Sequence, residues 1–323
     1  MRRLLVAVCL IAALGAAGFG GRILVLTRYN APGPLGVTRA VVVPRGAPGP
    51  VGAALVQAGV IDGTLAFRFA AALTASKGPL RAGEFVFPEH ASLFATLAIL
   101  RRGREVQHRL TIPEGLTAAE TARILDEAPS LVGDTPVPAE GEMLPETYAY
   151  ALGATRLSLL ERGQAAMTAA LARTWAGRAA DLPLGKPYDL LILASIVERE
   201  TARPEERAHV AAVFLNRLRL GMKLQSDPTT AYAASGGLTT YDRGLTRAEL
   251  DSHNPYNTYF APALPPGPIG SPGIAALQAT AHPSASDDLY FVADGSGGHT
   301  FARTLEDHER NVAAWRARRS TRP

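Results

Sequence analysis

The sequence predicts an α+β protein in three parts: an N-terminal transmembrane helix, a small βααβ module, and a larger mixed domain with a helical centre. Three observations predict this. Residues 4–26 are almost continuously apolar behind Arg2 and Arg3. Between residues 39 and 105, short β-rich runs flank segments of helical periodicity. Residues 189–200, DLLILASIVERE, carry eight unbroken apolar or small residues that run straight into charge.

The N-terminal segment of about 18–22 residues, at 1.5 Å per residue, matches the roughly 30 Å hydrocarbon core of a bilayer. Its alanines and glycines make it weakly hydrophobic, so a cleaved signal peptide competes with an anchor. The leading arginines favour an N-terminus on the inner side, with residues 1–3 as a cytoplasmic tip. Either reading exports residue 27 onward. Residues 27–38, rich in Pro and Gly, form a linker.

In the small module, residues 40–43 (AVVV) and 83–87 (GEFVF) are expected as strands. Residues 48–58, 62–75 and 92–102 are expected as helices, with Asp62 as an N-cap. The larger domain spans 106–323. A strand at 106–112 leads to a helix opened by Thr117 and Glu120 in capping-box spacing. Residues 132–148 read as loop. Helices follow at 157–176, 189–202 and 205–220, the last started by Pro204 and stopped by Gly221. Residues 222–232 read as a polar loop. A hairpin around DGSGG and a closing helix from Leu305 end the chain.

Composition fits an exported protein. Hydrophobic residues make up 47% of the 323, enough for a core, and the net charge is +4. The basic residues are dispersed, without the stripe a nucleic-acid surface needs. The single cysteine, Cys9, lies in the apolar segment, so the exported part has no disulfide. The seven histidines show no metal-ligand spacing, and neither metal nor cofactor is expected.

Glu198 is the leading chemical candidate. On a helix it falls one turn after Ala194 and two after Leu191, on the core-facing stripe. Desolvation raises the pKa of such a carboxyl and keeps a general acid protonated near neutral pH. The competing reading is a helix end with Glu198, Arg199 and Glu200 in solvated ion pairs. Downstream, residues 225–232 and NPYNTY at 254–259 concentrate amide, hydroxyl and aromatic groups on stiff loops, which suits sugar recognition. Ordinary turn chemistry uses the same residues.

Seven motifs in order resemble the endolytic murein transglycosylase (YceG-like) family. They are TIPEGLTAAETARIL (111–125), MLPETYAY (143–150), LASIVERET (193–201), VFLNRLRLGMKLQSDPTTAY (213–232), PYNTY (255–259), LPPGPIGSPG (264–273) and LYFVADGSGGHTF (289–301). The likeness covers roughly residues 36–315; Met143 stands where Phe or Leu is more usual. It implies that Glu198 is the catalytic acid and base, and that Gln225, Asp227, Tyr256, Asn257, Thr258 and Tyr259 line a substrate cleft. It implies a LysM-like module at 39–105, the strand and helix order found there being that of a LysM fold. It further implies single-pass anchoring in the bacterial inner membrane through residues 4–26, with the catalytic domain in the periplasm. The substrate is then the peptidoglycan glycan strand, and peptidoglycan synthases are the expected protein partners.

Hydrolysis of a glycoside usually takes two carboxylates, whereas lytic cleavage needs one acid and the sugar's own C6 hydroxyl. Glu200 is about 200° around the helix from Glu198, and Asp227 is the nearest other carboxyl read from the sequence. Lyase chemistry is therefore expected. A noncatalytic wall-binding scaffold that recruits synthases is the alternative from another class.

Overall fold

The computed structural model describes residues 27–239 and 243–320. The expected membrane segment, residues 4–26, lies outside the described residues. Among those described, no helix is long and apolar enough to cross a membrane. The chain divides into two compact units, one running to His108 and including Tyr150–Gly153, the other holding Arg109–Ala149 and everything from Ala154.

In the first unit, β1 (Arg39–Val43) pairs antiparallel with β2 (Gly83–Phe87), Val41 opposite Phe85. Alternation decides which face is buried: Val41, Val43, Phe85 and Phe87 point inward. Helices α1 (Pro48–Gln57), α2 (Thr64–Leu73) and α3 (Leu93–Arg102) complete it. Val51, Leu55, Phe67, Leu97 and Leu100 join the strand residues in one core. Pro48 occupies the first turn of α1, where its missing N–H costs nothing. Ser92 caps α3 by accepting from Ala95 N at 3.2 Å. Asp62 does not cap α2; Gly63 holds that position without a side-chain bond, because the helix starts one residue later than expected.

The second unit is centred on helices. Strands β3 (Gln107–Thr111) and β4 (Thr147–Ala151) form a two-stranded sheet, of which Gln107, His108, Tyr150 and Ala151 belong to the first unit. Most of β4 falls in or beside a stretch read as loop, yet Tyr148 and Tyr150 alternate inward. Helix α4 (Ala118–Glu127) starts with the expected box, Thr117 and Glu120 satisfying each other's backbone N–H. Helix α5 (Arg156–Gly177) is capped by Thr155.

Helix α6 (Pro187–Glu200) is the axis of this unit. Asp189 closes its start by accepting from Gly185 N and Lys186 N. Every residue from Leu190 to Val197 is buried. A helix apolar all round must be surrounded, and α6 packs on α5, on α7 (Arg207–Arg219), on α8 (Asp227–Ser235) and, after the four-residue α9 (Arg247–Leu250), on α10 (Ile274–Ala281).

Three further segments differ from expectation. Helix α7 begins at Arg207 rather than Pro204, since residues 204–206 form a turn and the Glu206 carboxyl binds His299 through its N–H and its ring. The polar loop after Gly221 becomes α8 at Asp227, with Pro228 in its first turn. Helix α10 occupies a segment with no assignment from sequence. The chain ends in the hairpin β5 (Tyr290–Ala293) and β6 (His299–Ala302), then α11 (Leu305–Ser320).

Candidate functional site

The three charged residues that end α6 are not solvated ion pairs. Each side chain enters a different polar cluster, as their 100° spacing requires.

Glu198 carries a side chain only 4% exposed. Its Oε2 accepts from the backbone N–H of Gly273 at 2.9 Å, and its Oε1 accepts from Arg207 Nη2 at 3.1 Å. Gly273 is the N-cap residue of α10, so the carboxyl sits at a helix start. The same Arg207 nitrogen lies 3.6 Å from Glu114 of the TIPEG loop. Burial pushes the Glu198 carboxyl above its ordinary range, and the Glu114 charge adds to this. The Gly273 N–H and the Arg207 guanidinium oppose the rise without cancelling it.

Two loops enclose this carboxyl. Gly115 N donates to Ser271 O at 2.8 Å and Ser271 N to Leu116 O at 2.9 Å, lacing TIPEG to the PIGSPG segment. A Cβ on Gly270 would lie 2.6 Å from Gly115 O, and one on Gly273 would lie 1.8 Å from Glu114 Oε1. Gly270 is required by this backbone approach, whereas a side chain at Gly273 would have to displace the end of the Glu114 side chain. Glu114, and not the Asp227 expected from sequence, is the carboxyl that shares a guanidinium with Glu198. Its motif was legible, but its neighbour was not, because Arg207 and Gly273 come from distant segments.

Arg199 donates to Ile269 O at 2.9 Å and contributes charge to a second group. There Glu140 accepts from Ala118 N at 2.9 Å and from the Tyr232 hydroxyl at 3.0 Å. Burial raises its pKa to about 7, with those two bonds and Arg199 opposing. The Tyr232 ring lies 4.9 Å from that of Tyr256, whose half-buried hydroxyl sits close to Gly267. Sequence reasoning missed Glu140 altogether.

Glu200 turns the other way and accepts from Ser226 Oγ at 2.9 Å. Burial raises it to about 7, and nearby Asp227 adds to the shift. Gln225 adopts a left-handed φ of 54°, its N–H bonded to Thr258 O and its side-chain oxygen to Arg217. Asp227 accepts from the Tyr259 hydroxyl at 2.7 Å. Asn257 and Thr258 are fully buried. The Asn257 amide ties the carbonyls of Leu250 and Ser252 to Thr230 Oγ1, and Thr258 Oγ1 serves Ser226 N and Thr229. Both side chains spend their polar groups within the protein. Gln225, Asp227, Thr258 and Tyr259 thus gather around Glu200, whereas Tyr256 belongs with Glu140. Among the described residues, no three His, Cys, Asp or Glu side chains converge as metal ligands.

A group with raised pKa binds protons more readily folded than unfolded. Stability from Glu200 is therefore full below its ordinary pKa of 4.5 and is lost as pH rises towards 7. Glu200→Gln is expected to flatten that decline by no more than about 3 kcal/mol. Urea unfolding of both proteins between pH 4.5 and 7.5 measures it, and parallel curves would refute the burial argument.

Comparison with known proteins places this arrangement. The sequence profile of the YceG-like family matches residues 41–314. The chain belongs to the YceG-like family. A Bacillus subtilis relative named endolytic murein transglycosylase is 35% identical over 173 residues, covering 54% of this chain and 47% of its own length. A Streptococcus pneumoniae relative of the same name is 32% identical over 313 residues, covering 81% of this chain and 55% of its own length. The chain thus spans about half the length of these relatives. A solved yceG-like protein from Listeria monocytogenes shares 25% identity at a TM-score of 0.52, over 84% of this chain and 98% of that one. Within this YceG-like chain, Glu198, Glu114, Glu140 and Glu200 all lie inside the matched range.

Proposed function

We propose that the chain is a membrane-anchored endolytic lytic transglycosylase. It cuts the MurNAc–GlcNAc bond of nascent peptidoglycan strands and leaves a 1,6-anhydro-MurNAc end, which stops strand elongation. The observation that carries this reading is the buried Glu198 carboxyl, its pKa raised, at the start of α10. The names of the B. subtilis and S. pneumoniae relatives supply the substrate class.

Glu198 gives its proton to the leaving glycosidic oxygen, and Arg207 stabilises the carboxylate that results. The ionised Glu198 then takes the proton of the muramic C6 hydroxyl as that oxygen attacks C1. The nucleophile is tethered, so no water needs activating. Tyr256, half-buried beside Tyr232, offers a ring edge to a sugar, and Asp227 with Tyr259 a polar wall. Asn257, Thr258 and Gln225 hold those groups in place through the bonds described above. Residues 4–26 anchor the chain in the inner membrane with the catalytic domain in the periplasm, near peptidoglycan synthases. The first unit, in strand–helix–helix–strand order like a LysM module, serves to hold the glycan.

One observation favours a second reading. Glu114 and Glu198 flank a single guanidinium, and a pair of carboxyls is what hydrolysis uses. Weighing the products of a defined uncrosslinked glycan digested by the purified chain separates the two. Anhydro ends are expected; ends carrying an added water would establish hydrolysis, and Glu114→Gln would then test Glu114 as the second carboxyl.

A further inference from the structure

Helix α2 buries only one side. Phe67, Ala70 and Ala71 face the core of the first unit. Leu65, Phe69 and Leu73, four residues apart on the opposite side, are 65%, 64% and 73% exposed. Three large apolar side chains in one exposed row are not scattered surface residues; a contiguous patch of this kind marks a contact.

The row leads back to the start of the described chain. One turn after Leu73, Lys77 sits 5.8 Å over the ring of Phe94, itself half exposed. Phe94 in turn meets the edge of Tyr29 at 5.6 Å. Tyr29 is three residues past the apolar segment 4–26, at most roughly 11 Å of extended chain. Whatever holds that segment therefore lies close to this corner of the unit. The charge is complementary to an anionic bilayer: residues 27–108 carry nine Lys and Arg against four Asp and Glu. Arg68 and Lys77, both exposed, flank the apolar row.

We infer that the Leu65–Phe69–Leu73 face of α2 is a lipid-binding surface that dips into the headgroup–acyl boundary of the anchoring membrane. An apolar stripe bordered by cations is the pattern of helices that lie in that boundary. The surface fixes the first unit against the bilayer instead of leaving it on a free tether. The inference rests on the proposed anchor.

The test uses the full chain in vesicles of phosphatidylethanolamine and phosphatidylglycerol. With Cys9→Ala removing the native thiol, Phe69→Cys carries an environment-sensitive fluorophore, and Leu220→Cys, similarly exposed at 64% on the second unit, is the comparison. Acyl-brominated lipid is expected to quench the probe at 69 several-fold more than the probe at 220. A chain that floats with the vesicles but shows equal quenching at both positions overturns the inference and leaves the anchor standing. A blue shift at 69 that ignores bromination means a protein surface covers the row, a second copy or residues 4–26, and also overturns it. A chain that fails to float removes the anchor and this surface together.

Discussion

Glu198→Gln is expected to lower strand cutting by about 10²- to 10⁴-fold, the usual contribution of a positioned general acid–base. The fold should survive. The Gln oxygen can still accept from Gly273 N, and Arg207 keeps Glu114 as its partner. The exchangeable proton is lost, and with it the Oε1 acceptor that faced Arg207. Circular dichroism and glycan binding should match the native chain while turnover disappears. Retained turnover would move the acid elsewhere, and Glu140, held near pH 7 by burial, would be the next residue to replace.

The second large effect concerns the frame behind that carboxyl. Phe214 of α7 is 1% exposed and meets Phe291 edge-on at 5.6 Å. It shares a core cluster with Leu193, Ile196 and Val197 of α6. Phe214→Ala removes a full aromatic side chain where neighbours on two helices cannot collapse into the space. A loss of about 3–5 kcal/mol is expected, seen as an earlier midpoint in urea. A loss under about 1 kcal/mol would show that α6 and α7 are not held by this core.

Local physics made much of the fold readable. Eight apolar or small residues in a row demand a surrounded helix, and α6 is one. AVVV and GEFVF were readable as strands, and the Thr117–Glu120 spacing gave a cap. What escaped depended on distant partners. The β4 strand is short and follows a Pro-rich stretch, so its pairing with β3 had no local signal. The start of α7 moved because His299, 93 residues away, occupies the Glu206 carboxyl.

The site divides the same way. The burial of Glu198 was legible from its place on an apolar stripe, a one-helix property. Its neighbours Glu114, Arg207 and Gly273 converge from three segments and no spacing links them. Asn257 shows the limit of polar density as a clue. An amide that ties carbonyls together and one that greets a sugar look alike in sequence, and only its complete burial tells them apart.

The central claim is that Glu198 holds its proton beyond the range of an ordinary carboxyl. Titration of ¹³C-labelled glutamate side chains, with the Glu198 signal identified by its loss in Glu198→Gln, measures this directly. A midpoint above 4.5 is expected for that signal, with the alkaline limb of the cutting rate following it. A midpoint at or below 4.5 would contradict it, because the carboxyl would then be ionised where the proposed reaction needs a donor.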